Sequence, residues 1–424
     1  MKMGLFGTLY LFELRKVLKR KMTWIAFGGV VSVMLLLCFE VLMNNYSITN
    51  PQTGESLRYS KYENAMDRQE RAEKWNGRQL DDTLLQEMQA AYADWHPAEQ
   101  ETVRDNAVTV SSIALTEVSD DEAEAERQDQ QRRAYEAIYK YVKGVVGEQD
   151  VHRVDAAAFY ERRQRMVTEY EETLHLTEGE KEYWREHEAQ VPLIFCWDMG
   201  PSMMLAAFKN ILALTALMTG MVFSGVFAEE HMRKTDQLVL CSRHGRGRLY
   251  LAKLLTVITL GVVGTLLVEG IVLLSFGVLY GYGNNWNGML QMYLESSPFA
   301  LTLGEGIVIL TVLLLLAAVL HSVLALVFSG WTRSSLATMS LMMVYTLGTL
   351  FINVPERLRV LSQCLYLLPA KLVRSSAFYD ARLVGGGGHY LTNWQTGIIL
   401  YPLLALVLTL LGSLIYRRWQ ISGR

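Results

Sequence analysis

Ionisable residues stand inside long apolar runs of this 424-residue chain, among them Glu269, Glu305 and His321. A charge at the centre of a bilayer costs at least ~2.5–3.5 kcal/mol on insertion scales, so such groups face a bundle interior or a polar cavity. Two readings follow. They contact a substrate or control a gate, or they are hydrogen-bonded packing groups between helices. Glu305, like Lys209, lies near the end of its run and also suits an interfacial position. The second chemical feature is the short stretch 229–253 between two apolar runs, which carries Glu229, Glu230, Arg233, Lys234, Thr235, Asp236, Leu238, Leu240, Ser242, Arg243, Arg246, Arg248 and Lys253. Leu238 and Leu240 are apolar anchors within a charged rim, a composition suited to protein recognition. On charge alone the stretch also reads as an ordinary positive-inside loop.

Other chemistry is missing from the sequence. There is no G-x-x-x-x-G-K-[ST]; the glycines at 144–147 and 245–247 lack the following Lys-Ser/Thr, and the four-glycine run 385–388 reads as a flexible connector. Neither H-E-x-x-H nor G-x-S-x-G occurs, and the eight histidines are scattered. No catalytic, cofactor-binding or metal-ligating residues are therefore assigned, and the chain is not read as an enzyme. The four cysteines, Cys38, Cys196, Cys241 and Cys364, form no metal-ligand spacing; a disulfide between Cys196 and Cys364 is open.

The charge is unevenly distributed. Residues 45–200 hold 33 acidic and 18 basic side chains, a net of −15, while the remainder has a net of +12. This asymmetry points to membrane spans with basic flanks and one acidic aqueous domain. The basic residues form no single patch, so nucleic acid is not an expected partner.

A spanning helix needs about 20 mostly apolar residues. Six segments qualify as candidates: Thr23–Met43, Met203–Ala228, Leu254–Tyr280, Phe299–Phe328, the short Leu336–Phe351, and Trp394–Tyr416. The first is expected to remain as an anchor, since no small-residue cleavage site follows it. Residues 1–22 form an apolar helix that gathers Arg15, Lys16, Lys19, Arg20 and Lys21 at its end, and it is expected to lie in the interface against anionic lipid. Lys/Arg bias places both termini and the 229–253 loop in the cytosol and residues 44–200 outside. Segment 355–393 disagrees, because it is basic yet falls outside. Its apolar core Val360–Ala370 would cover only ~16 Å as a helix, so it reads as re-entrant or surface-lying. A distorted seventh span is the alternative, opposed by the arginines of the tail.

The acidic domain is expected to be mainly helical, with residues 45–60 as its mobile part. Helices are predicted over Leu80–Trp95, Asp120–Val142 and Asp155–His175, with capping boxes at Ser119–Glu122 and Thr177–Glu180 and a break at Gly144 and Gly147. The fold class predicted is thus an all-α polytopic membrane protein: six spans, an N-terminal interfacial helix, and a large extracytoplasmic domain between the first two spans.

The stretch 229–253 resembles the signature region of ABC-2 type exporter permeases. Glu229, Thr235, Leu238, Leu240, Ser242, Arg243 and Lys253 match that pattern; Cys241 stands where many members place a Pro before Ser-Arg. The order of elements in the membrane part is also similar, whereas the acidic domain lies outside the likeness. The resemblance implies a coupling helix at 229–253, including Glu230, that docks on a separate ABC ATP-binding subunit. That subunit would carry ATP and magnesium. It further implies a homodimer, or a heterodimer with a related permease, in the cytoplasmic membrane, exporting a substrate the sequence does not name. Two other classes remain open: a membrane-anchored sensor using the acidic domain, and an ion-coupled transporter using Glu269 or Glu305. The latter predicts internal repeats, which are not found.

Overall fold

The computed structural model describes residues 5–43, 45–49, 56–60, 66, 69–70, 75–93, 131–188, 194–196, 199–241, 245, 247–280, 284–355, 357–386 and 388–418. In chain order the elements are α1 (Leu5–Leu18), α2 (Lys21–Met43), β1 (Asn45–Thr49), β2 (Ser56–Ser60), β3 (Arg78–Gln79), α3 (Asp82–Ala91), α4 (Glu136–Val146), α5 (Ala156–Thr173), α6 (Glu178–Glu188) and β4 (Ile194–Phe195). They continue as α7 (Met199–Phe223), α8 (Gly225–Met232), α9 (Asp236–Cys241), α10 (Arg248–Tyr280), α11 (Leu303–Thr332), α12 (Ser335–Phe351), α13 (Arg359–Tyr366), α14 (Pro369–Leu372), β5 (Leu383–Gly386), β6 (His389–Thr392) and α15 (Asn393–Arg417).

Among the described residues, five helical stretches are long and apolar enough to cross a membrane: Lys21–Phe39, Gly200–Met232, Arg248–Tyr280, Leu303–Thr332 and Asn393–Arg417. The chain is mostly helical, as its apolar runs of more than 20 residues require. The fifth expected span is α12, at 17 residues a shorter apolar helix that reaches only ~25 Å against a ~30 Å hydrocarbon core. Sheet is minor, consistent with the all-α class: among the described residues it amounts to three short antiparallel two-stranded pairs, β1–β2, β3–β4 and β5–β6. The first of these occupies the stretch expected to be mobile, pairing Asn45 with Ser60 through Thr49 with Ser56.

The chain divides into two units. One comprises Leu37–Met203 and Ser275–Gly306. Its core gathers Trp75, Leu84, Leu85, Met88, Ile138, Val142, Phe159 and Phe195, all buried. Asp81 and Asp155 cap α3 and α5 by accepting from the backbone N–H of Leu84 and Ala158. Trp75 Nε1 donates to the Ala134 carbonyl at 2.7 Å, so the indole is buried without losing its hydrogen bond. The expected break at Gly144 does not occur. The helix runs through it and stops at Gly147, whose φ of 86° is open to glycine at no steric cost. At Thr177 half of the predicted capping box is present: Glu180 reaches back to the Thr177 N–H at 2.7 Å, while the threonine hydroxyl donates to the same carboxylate. The Ser119 box lies outside the described residues.

The other unit comprises Met1–Leu36, Met204–Leu274 and Ile307–Arg424. Its helices meet where small residues allow close approach: Gly261 against Ser322, and Gly412 against Tyr250 and Val327. Ser329 bridges α8 and α11, accepting from the Phe227 N–H and donating to the Ser224 carbonyl. Val360–Ala370 is not one helix. It is α13 and α14, separated at Leu367–Leu368, because Pro369 opens α14 and biases the residue before it to an extended backbone. Cys196 and Cys364 are free thiols, one buried and one exposed, and they belong to different units.

Phe159 sits at the centre of the first unit's core. Phe159→Ala is expected to destabilise that unit by ~3–5 kcal/mol, read as faster amide exchange in α4 and α5 of the full chain, with residues 248–274 of α10 and 307–332 of α11, which belong to the other unit, unchanged.

Candidate functional site

The best-formed polar constellation lies where α1, α8 and α10 meet within one unit. Lys253, one and a half turns into α10, is completely buried. An ammonium has three N–H donors. Here they meet Glu230 Oε1 at 2.7 Å, Glu13 Oε2 at 2.9 Å and the Val226 carbonyl at 3.1 Å. The Phe227 ring lies beneath the ammonium, 5.2 Å from its centroid. Lys16 donates to Glu230 and stands 3.5 Å from Glu13. Two lysines and two glutamates thus form a neutral, interlocked set.

A second pair flanks this set. Arg20, just past α1, approaches Glu229 at 3.0 Å and donates to the Gly225 carbonyl at 3.1 Å. Burial pushes the Lys16 ammonium below its ordinary range, with repulsion from Lys253 adding to it and attraction from Glu13 and Glu230 opposing it. Burial likewise lowers Arg20, against the pull of Glu229.

Local sequence explains the arrangement. On α1, Glu13 and Val17 are one turn apart and both buried, so they define the inward face, and Lys16 lies beside it. On α8, Val226 and Glu230 are one turn apart and point the same way. The chain then leaves α8 through Lys234 at φ 55°, and Thr235 closes the end by donating its N–H and its hydroxyl to the Glu230 carbonyl. Asp236, buried, pairs with His231 Nδ1 at 2.9 Å.

The residues expected to meet a partner therefore separate into two groups. Glu230 and Lys253 are inside the protein, and Glu229 is committed to Arg20. Leu238, on α9, is 77% exposed and free of such commitments. The side chain of Leu240, and Ser242 and Arg243, lie outside the described residues. Lys16 and Arg20, read from sequence as lipid-directed, turn instead to carboxylates, while Arg15 and Lys19 are exposed. Sequence reasoning missed Glu13. Its signal was available: a lone acid among apolar and basic residues of an amphipathic helix.

The intramembrane candidates are scattered. Glu269 is buried on α10 and accepts from the Thr311 hydroxyl on α11; its second oxygen has no hydrogen-bond partner among the described residues. His321 is buried, its Nδ1 2.7 Å from the Ala317 carbonyl. A carbonyl only accepts, so that nitrogen carries the proton. Glu305 belongs to a capping box: it accepts from the Thr302 N–H at 2.8 Å, and its own N–H donates to the Thr302 hydroxyl at 3.1 Å. It starts α11 and is exposed, which is a structural role. Among the described residues no cluster of His, Cys, Asp or Glu has the makings of a metal site.

Comparison with protein-family models, with curated proteins and with solved structures returns no match.

Removing one member of a buried ion set leaves its partners uncompensated, at a typical cost of 3–5 kcal/mol, whereas removing both ends of a pair costs less. Lys253→Met should therefore lower the thermal unfolding midpoint of the detergent-purified chain markedly, and Glu13→Gln added to it should recover part of the loss. Additive losses in the double variant would show that the two residues are energetically independent.

Proposed function

We propose that this chain is the membrane-spanning subunit of an ABC-2 type exporter, driven by a separate subunit that binds ATP and magnesium. The observation that carries the reading is the combination of an exposed Leu238 on α9 with the buried ion set next to it in the chain. A soluble partner that grips α9 would move α8. Through Glu229 and Glu230 it would then act on α1 and on the start of α10. Displacement at one exposed loop is thereby converted into movement of three helices as a rigid group, the kind of transition that a ligand bound elsewhere can bias.

In this proposal α12 serves as the sixth span. Both termini and α9 face the cytosol, residues 44–200 lie outside the cytoplasmic membrane, and two copies, or one copy and a related permease, line the pathway. The Lys/Arg bias of the short loops supports that orientation. The membrane assignment itself rests on the five long apolar helices.

A second reading is favoured by one observation. Glu269 is buried in a span with a carboxyl oxygen that has no hydrogen-bond partner among the described residues, the kind of group that ion-coupled transporters use. In that case Glu269 would be the essential residue and α9 would be dispensable.

The test is purification of the tagged chain from its native membranes in mild detergent. A stoichiometric soluble subunit with a phosphate-binding loop is expected to accompany it. Leu238→Glu is expected to release that subunit while leaving membrane insertion intact. Arg20→Glu should weaken coupling of ATP hydrolysis to the membrane subunit, and adding Glu229→Arg should restore it. An intact chain that carries no such subunit, together with transport that collapses on Glu269→Gln, would replace the proposal with the second reading.

A further inference from the structure

Helix α13 is built inside out. Its polar residues face the protein, and its apolar residues face away from it. Ser362 is buried and accepts from Arg382 Nη1 at 2.9 Å. Arg382 is itself buried, bound at both ends to Asp380 at 2.7 Å, with its guanidinium 4.6 Å from the centre of the Tyr366 ring. Gln363 donates its amide to the Leu383 carbonyl at 3.1 Å and to Asn393 Oδ1 at 3.2 Å. Ser362, Gln363 and Tyr366 share one side of the helix, and that side is fastened. The opposite side carries Val360, Leu361 and Cys364, all exposed, with Val360 76% accessible, and the N-cap residue Leu358 is exposed as well.

A helix in water turns these faces the other way. The fastening also prevents α13 from rolling over, because rotation would strip a buried guanidinium of a hydrogen-bond partner, at the cost of an unsatisfied buried polar group. The surroundings of the outer face must therefore be apolar. Neighbouring elements say what those surroundings are. At 17 residues α12 is ~25 Å long, short of the ~30 Å hydrocarbon layer, and it ends in the exposed Phe351 and Ile352. In the chain, the exposed Leu358, Val360 and Leu361 follow within ten residues of that end. Arg357, exposed, precedes the first turn of α13, where a helix dipole disfavours cations. A cation there is better explained by lipid phosphate than by the helix.

We propose that α13 is seated in the bilayer, with Leu358, Val360, Leu361 and Cys364 among the acyl chains and Arg357 at the phosphates, making up the length that α12 lacks. It lies along one leaflet and does not re-enter the membrane, since α14 turns away at Pro369. The seat is tied to two spans: Lys371 donates to the Leu350 carbonyl at the end of α12, and the Tyr401 hydroxyl of α15 donates to the Leu367 carbonyl. Lipid packing against α13 therefore bears on both helices. Nothing in the proposal requires the chain to be a transporter.

Cys364 provides the probe. The full chain carrying Cys241→Ser is labelled with an environment-sensitive maleimide fluorophore and reconstituted into vesicles of phosphatidylcholine with phosphatidylglycerol. A Cys364→Ser, Cys241→Ser chain reports any labelling elsewhere. The expected result is blue-shifted emission, quenched several-fold more by lipids spin-labelled near the head group than by aqueous iodide. Val360→Ser with Leu361→Ser should reverse that preference. Quenching mainly by iodide would place α13 in water and overturn the proposal. Blue-shifted emission quenched by neither agent would place a protein surface there, a second copy included, and would overturn it equally.

Discussion

One buried ammonium organises an end of the membrane unit. Taking a lysine out of water costs several kcal/mol even after relaxation, and the cost is recovered only when geometry and hydrogen bonding are complete. Lys253 meets that condition through Glu13, Glu230 and the Val226 carbonyl, which come from two other helices. The requirement is mutual. Without Lys253, two carboxylates would be buried with one lysine between them. The positions of α1, α8 and the start of α10 are therefore set together, and none can move alone without exposing a charge to an apolar environment. Such a set offers little net stability over an apolar core of equal volume. Its contribution is to make three helices behave as one part.

Several other polar groups of this unit obey a gentler version of the same constraint. Ser329 satisfies backbone groups on α8, and Tyr250 and Tyr416 donate to the Thr409 and Gly245 carbonyls. Hydroxyls suit this task because they can bond to a helix carbonyl and remain close-packed. Glu269 is not satisfied in this way. One threonine hydroxyl cannot satisfy two carboxyl oxygens, so this residue stands in a span on terms that the ion set around Lys253 does not accept.

Much of the fold was legible because apolar length and capping are local properties. The long apolar runs, the helix expected over Leu80–Trp95 and found as α3, and the start of α5 at Asp155 can be read within a few residues. Pairing across the chain is not local. Glu13 and Lys253 are 240 residues apart, and a rule that sends basic helix ends to lipid gives no reason to send Lys16 and Arg20 to Glu230 and Glu229. Gly144 failed as a break for a related reason. A glycine costs a helix interior about 1 kcal/mol, which the buried Tyr141, Val142 and Val146 around it outweigh. The hairpin β5–β6 was hidden by its glycines: Gly385 lies so close to the His389 carbonyl that a side chain could not fit, a role that composition alone reads as slack.

The contrast between α4 and α13 shows how far periodicity can be trusted. Both are short amphipathic helices, and the sequence rule assigns the apolar stripe of each to the interior. For α4 this holds, since Ile138, Val142 and Val146 are buried in the core of their unit. For α13 it is reversed, because Arg382 and Asp380 already occupy the interior beside it and a buried guanidinium can only be neighboured by acceptors and aromatic faces. Periodicity specifies that two faces differ. Which face points inward depends on what the rest of the chain has placed there, and in a membrane protein the outside can be the more apolar of the two. The burial of a single ionic group is then enough to invert a helix, which is the same lever that Lys253 exerts on α1, α8 and α10.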